Sequence, residues 1–125
     1  MNAIIRAAAD LQALCEAQQW RFCFIGGVAV QRWGEPRETV DVDATPFVFP
    51  PDVALRTCSA EDLVVLKAFA SRPKDWVDID GILIRQAGHI DWTYVRRQLT
   101  PLAELKEAPE ILVTLEAKRC EFDPA

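Results

Sequence analysis

The sequence predicts an α+β protein, with a small mixed or antiparallel sheet in its first half, helices flanking that sheet, and a helical second half. Three observations lead there. The 125 residues are the length of one compact domain with one core. Runs of aromatic and β-branched residues mark the first part, at residues 20–25, 38–45 and 47–49. After Ser59 the apolar residues recur at helical spacing and the breaks fall at prolines and Gly88. The expectation is a single domain over 1–125, made of a sheet part at 1–58 and a helical part at 59–125.

Ile4, Ala7, Ala8, Leu11, Leu14 and Cys15 lie three and four apart, which predicts an amphipathic first helix. Trp20-Arg21-Phe22-Cys23-Phe24-Ile25 then reads as a buried strand, ended by Gly26-Gly27, and Val28 to Trp33 as a short helix closed by Gly34. Pro36 cannot continue that helix, and the alternating β-branched residues of 38–45 predict a second strand. Phe47-Val48-Phe49 reads as an edge strand between the breaks at Pro46 and Pro50-Pro51, with a return over 53–57. Ser59 is placed to cap a helix with Glu61 and Asp62 in its first turn and Leu63, Leu66 and Ala70 as its apolar stripe. Pro73 suits the first turn of the next helix, which runs to about Gln86 with Trp76, Ile79 and Leu83 inward. Gly88 ends it, Asp91 caps another, and Thr100-Pro101 and Ala108-Pro109 divide the remainder into short helices, the last over about 110–118.

Composition narrows the function classes. Fourteen Lys and Arg against nineteen Asp and Glu give a net charge of −5, which argues against a general electrostatic grip on nucleic acid. No apolar run approaches the roughly 20 residues that cross a bilayer, and the first residues lack the pattern of a secretory signal. Cys15, Cys23, Cys58 and Cys120 have neither C-x-x-C nor zinc spacing, so the expectation is four reduced thiols in a cytoplasmic protein without membrane contact. The one histidine, His89, has no serine or cysteine placed as a catalytic partner and reads as a surface residue, and the four tryptophans read as packing residues. Arg96-Arg97 with Lys106 is offset by Glu104, Glu107 and Glu110 and reads as a solvated face.

The chemistry points to residues 26–43. A double glycine between a strand and a helix lets backbone N–H groups approach a phosphate, although the same pair is also an ordinary tight turn. Asp41 and Asp43, two apart on one strand, share a face with their backbones about 6–7 Å apart. Such a pair suits Mg²⁺ or Mn²⁺ carrying substrate phosphates, or is simply a solvated strand face. Two metals there would activate an attacking oxygen and stabilise a leaving pyrophosphate. Arg37, four residues before Asp41, is placed for a bidentate phosphate contact.

Taken together, Phe24-Ile25-Gly26-Gly27-Val28-Ala29-Val30 and Gly34-Glu35-Pro36-Arg37-Glu38-Thr39-Val40-Asp41-Val42-Asp43 resemble the polymerase-β-like nucleotidyltransferases. The resemblance is to their small bacterial branch, related to the abortive-infection toxins of type IV toxin–antitoxin systems. The run from Ala60 to Ile79, with Lys67, Arg72, Asp75 and Asp78, is similar to that branch's downstream motif, and the likeness extends over roughly 11–115. It implies a nucleotidyltransferase-type sheet and Mg²⁺-dependent transfer of a nucleoside monophosphate from an NTP to an acceptor hydroxyl on an RNA end, a protein or a small molecule. In that scheme Asp41 and Asp43 hold the metal, and Lys67 and Asp75 join them as catalytic residues. Gly26, Gly27, Arg37, Thr39, Lys67 and Arg72 contact the nucleotide, and Asp75 assists the acceptor or orients Lys67. The other account of Arg72, Asp75 and Asp78 is an ion-pair cluster at a helix–helix corner.

The middle of the chain departs from the pattern. Family members carry a longer segment after the D-x-D strand that supplies a third metal carboxylate, whereas here only residues 44–58 intervene and Asp52 is their one acid. In a hairpin turned at Pro50-Pro51-Asp52, Asp52 would lie roughly 30 Å of extended chain from Asp43, which leaves a folded-back loop, Asp75 or Asp78 to supply the ligand. The alternative expectation is therefore a catalytically degenerate relative acting as a nucleotide-binding or interaction module. Loss of a strand also uncovers apolar surface and a sheet edge, which predicts a homodimer.

Overall fold

The computed structural model describes residues 3–25, 27–34, 47–49 and 53–124. Helices α1 (Ala3–Ala17) and α2 (Gly27–Trp33), strands β1 (Phe47–Phe49) and β2 (Val53–Leu55), and helices α3 (Ala60–Ala70), α4 (Pro73–Arg85), α5 (Trp92–Leu105) and α6 (Glu110–Phe122) follow in chain order. The chain divides into two compact units, Met1–Arg32 with Pro36–Ser59 and Trp33–Glu35 with Ala60–Ala125.

The first unit has a small core. Ile5 and Ala8 of α1 meet Phe24, Val28 and Leu55, with Ile4, Ala9 and Phe22 packed around them. Of the stripe expected on α1 only Ala8 is buried, Ile5 beside it supplies the other core contact, and Leu11 and Leu14 are about half exposed. Gln12 clamps α1 to the strand end, donating from Nε2 to the Ala54 carbonyl at 2.7 Å and accepting the Arg56 N–H at 2.9 Å. Strands β1 and β2 pair antiparallel with Phe47 opposite Leu55 and Phe49 opposite Val53.

The expected sheet is corrected. Among the described residues the β structure is this one pair and an isolated parallel bridge between Phe24 and Thr57, so the protein is mostly helical and is not a nucleotidyltransferase-type sheet flanked by helices. Residues 20–25 have strand composition, but a strand exists only through a neighbour that completes its ladder. Phe24 makes two such bonds, donating to the Arg56 carbonyl and accepting from the Cys58 N–H, both at 2.8 Å. Its ring joins the core with Ile5 and Ala8 of α1, Val28 of α2 and Leu55 of β2. The strand expected over 38–45 lies outside the described residues, as does Asp52.

The second unit is a set of four helices in which α3 packs on α4, α5 and α6, and α6 packs on α4 and α5. Being enclosed by three helices, α3 buries Leu63, Val64, Val65, Lys67 and Ala68, and Leu66, expected in its stripe, is instead 40% exposed. Ile79, Ile82 and Leu83 of α4, Val95, Leu99 and Ala103 of α5, and Ile111 and Leu115 of α6 complete the core. Asp91 caps α5 as its position in the sequence suggests, accepting the Tyr94 N–H at 3.1 Å. The Tyr94 hydroxyl donates to Asp62 on α3 at 2.6 Å, a bond that raises its pKa, with burial adding to the effect.

Helix α5 is also corrected. It runs unbroken through Pro101, although proline supplies no N–H to the carbonyl four residues back and costs about 3 kcal/mol inside a helix. The residue lies on the exposed side while Leu99 and Ala103 continue the buried face, so packing outweighs the local preference. Gly88, at φ +80°, occupies the left-handed turn between α4 and α5, where glycine carries no Cβ penalty. Its N–H and the Trp92 indole N–H both donate to Asp123, at 2.9 and 2.7 Å. Asp123 is 3% exposed and latches the end of α6 onto that turn. Asp123→Ala is expected to lower the unfolding free energy by about 2–3 kcal/mol, the range for losing charge-assisted hydrogen bonds, as read by urea denaturation. A change under about 0.5 kcal/mol, the ordinary size of a surface substitution, would show that the latch holds nothing.

Candidate functional site

The residues singled out on the second unit converge at the corner between α3 and α4. Helix α3 ends at Ser71, which adopts a left-handed φ of 57° and donates its N–H to the Lys67 carbonyl at 2.9 Å, a one-bond C-terminal cap. Arg72 is the N-cap of α4, Pro73 follows it, and Asp75 sits in the first turn, where a carboxylate complements the helix dipole. The tight turn brings the third turn of α3 beside the first turns of α4. Lys67 on the inner face of α3 therefore meets Asp75 and Asp78, three apart on one face of α4.

The contacts are close and buried. The Lys67 Nζ lies 3.2 Å from Asp75 Oδ1 and 2.9 Å from Asp78 Oδ2. Lys67 is 7% exposed, Asp75 0% and Asp78 8%. Arg72 closes the cluster from outside: its backbone N–H and Nε donate to Asp75 Oδ2 at 3.1 and 2.6 Å, and its Nη2 donates to Oδ1 at 3.2 Å. Burial by itself would raise the Asp75 pKa, but the hydrogen bonds from Arg72 and Lys67 outweigh it and hold the carboxyl below its ordinary value. Two cations and two carboxylates thus balance within one corner.

This arrangement limits the chemistry. A carboxylate offers about four lone-pair sites, and Asp75 has four donors on its two oxygens, so it presents nothing to a divalent cation or to an acceptor hydroxyl. Asp75 does not fit a third metal ligand, and Asp78 already faces the lysine ammonium. Among the described residues no group of three or more His, Cys, Asp or Glu is placed to hold a metal. Gly27 opens α2, a helix of seven residues. Gly26, Arg37, Thr39, Asp41 and Asp43 lie outside the described residues.

No family model, curated protein or solved structure matches the chain. Among the described residues no helix is long and apolar enough to cross a membrane, and no disulfide joins the four cysteines. Arg96 is paired with Glu116 at 3.2 Å, so the basic stretch at 96–97 is partly neutralised in place.

A second feature includes none of the expected site residues. In the first unit, Glu16, Trp20, Arg21, Phe22 and Arg56 line an open cleft of about 410 Å³. Trp20, expected to pack, is 59% exposed. The aromatic, basic, aromatic order of Trp20-Arg21-Phe22 was the available signal, and strand composition masked it. Arg56 could not be added from sequence, because its approach depends on the Phe24–Thr57 bridge.

Proposed function

We propose that this chain is a dimeric nucleotide-binding relative of the nucleotidyltransferases, taking an NTP with Mg²⁺ or Mn²⁺ through Asp41 and Asp43, and that Lys67 and Asp75 serve the helix corner rather than phosphate transfer. The observation that carries the reading is the Lys67 ammonium, held between two buried carboxylates at 2.9 and 3.2 Å. A lysine that neutralises a triphosphate must turn its donors toward the ligand, and here that would leave two buried carboxylates without the cation they share, a costly exchange. The resemblance of residues 24–43 to the nucleotide-binding half of the family motif supports the remainder. Exposed Val77 and Ile84 on α4 and Val113 on α6, 58–71% accessible, support self-association.

The test is calorimetry with Mg²⁺ and each NTP, alongside an assay for pyrophosphate release and sedimentation of the native protein. Expected are Mg²⁺-dependent NTP binding that Asp41→Ala/Asp43→Ala abolishes, no pyrophosphate, and a dimer that Val113→Glu weakens. Absence of metal-dependent binding removes the nucleotide reading. Pyrophosphate release by the native protein, lost in Lys67→Met at unchanged fold, restores transfer to an acceptor hydroxyl as the function.

A further inference from the structure

We infer that the cleft formed by Trp20, Arg21, Phe22 and Arg56 is a metal-independent binding site for a phosphorylated nucleoside bearing a single phosphate. Its chemistry is opposite to that of the Asp41/Asp43 segment: it offers cations and ring faces, so it takes phosphate directly. At about 410 Å³ it lies within the range of roughly 300–1,000 Å³ usual for small-molecule sites.

Each wall is held by backbone rather than by chance side-chain placement. Helix α1 ends in a left-handed turn at Gln19, φ 58°, closed by the Gln19 N–H on the Glu16 carbonyl at 3.1 Å and the Trp20 N–H on the Cys15 carbonyl at 2.9 Å. A left-handed residue just past a helix end is a common C-terminal cap, and it fixes where the chain leaves the helix. Trp20 follows it, presented outward with more than half its surface accessible. Arg56 is fixed on both sides, its N–H on Gln12 Oε1 at 2.9 Å and its carbonyl on the Phe24 N–H at 2.8 Å. Phe22 stands edge-to-face on the buried Phe24, with centroids 6.2 Å apart, and the Arg56 guanidinium covers its ring at 5.9 Å.

A guanidinium lying over a ring face keeps donors for a bidentate phosphate contact. Among the described residues neither Arg21 nor Arg56 makes an ion pair with a carboxylate, so both remain available to an anion. The Trp20 face is then left for a base, a contact that every nucleobase can make. Glu16 sets the charge. Two guanidiniums against one carboxylate leave a single net positive charge, and the Glu16 carboxylate disfavours the added negative charge of a triphosphate.

The measurement is calorimetric titration of the full chain with AMP in EDTA, with adenosine, inorganic phosphate and ATP as comparisons. AMP is expected to bind more tightly than any of the three. Arg21→Gln/Arg56→Gln should weaken AMP by tenfold or more and flatten its salt dependence. Trp20→Ala should weaken it roughly ten- to a hundredfold, the loss of one base–aromatic stack, and Trp20→Phe should restore part of that. These side chains are exposed, and circular dichroism confirms that the helices stand. Absence of AMP binding in EDTA overturns the proposal, as does binding indifferent to the arginine pair. Because Mg²⁺ is excluded, failure here is distinct from failure of Mg²⁺-dependent NTP binding.

Discussion

Replacing Lys67 with alanine is expected to remove about 3–5 kcal/mol of unfolding free energy, the range found when one partner of a buried ion pair is deleted. Lys67 is 7% exposed and its ammonium faces both Asp75 and Asp78, so its loss leaves two carboxylates in a poorly solvated corner with their shared cation gone. Against a typical domain stability of about 5–15 kcal/mol, that is enough to leave the four-helix unit partly unfolded at 37 °C. Lys67→Met keeps the aliphatic volume and separates lost packing from lost charge, and it should lose nearly as much, because charge is the larger effect. Lys67→Met/Asp78→Leu replaces a charge pair by apolar groups and should recover part of the loss, as buried pairs often tolerate joint replacement. Urea unfolding with unchanged m-values reads all three. A loss below about 1 kcal/mol in Lys67→Met, combined with a large loss of NTP affinity, would place Lys67 on the ligand instead of the corner.

The helical half was largely legible because its signals are local. Pro73 marks the first turn of α4, Asp91 caps α5, Pro109 precedes α6, and each depends on a few adjacent residues. What depended on neighbours distant in sequence was not legible. Residues 20–25 carry strand composition, yet whether they join a sheet is decided by the chain that lies beside them, and one bridge at Phe24 is what they obtain. Helix α3 defeats a stripe analysis because three helices enclose it, so nearly every side is apolar and Leu66 could not be told from Val65. Pro101 reads as a stop from local chemistry, while the buried face of Leu99 and Ala103 carries α5 past it. At the corner, the spacing of Lys67, Arg72, Asp75 and Asp78 was visible, and both a phosphate site and an ion-pair cluster fitted it. The left-handed Ser71 folds α4 back beside α3 so that Asp75 and Asp78 reach Lys67, and no pattern in the sequence announces a serine in that conformation.

Asp75→Asn is expected to cost about 3–5 kcal/mol at neutral pH and to remove a defined part of the acid sensitivity. The Asp75 carboxyl is held below its ordinary pKa in the folded chain by Arg72 and Lys67, against the opposing effect of burial. A depressed folded pKa means that the unfolded chain binds the proton more readily, so stability rises with pH across the interval between the two values. Asp75 therefore contributes its full stabilisation above the unfolded value of about 3.9 and loses it as pH falls from there through the folded pKa. Other carboxylates titrate in the same range, and Asp75 is isolated by difference: unfolding free energies of the native protein and Asp75→Asn are compared from pH 7 to pH 2. The gap between the two curves should be constant above about pH 5 and close toward zero below about pH 4. It should also persist at high salt, since a carboxylate with no exposed surface is poorly screened. Parallel curves at every pH would mean that Asp75 has the same pKa in the folded and unfolded chain and that the asparagine acts through shape alone.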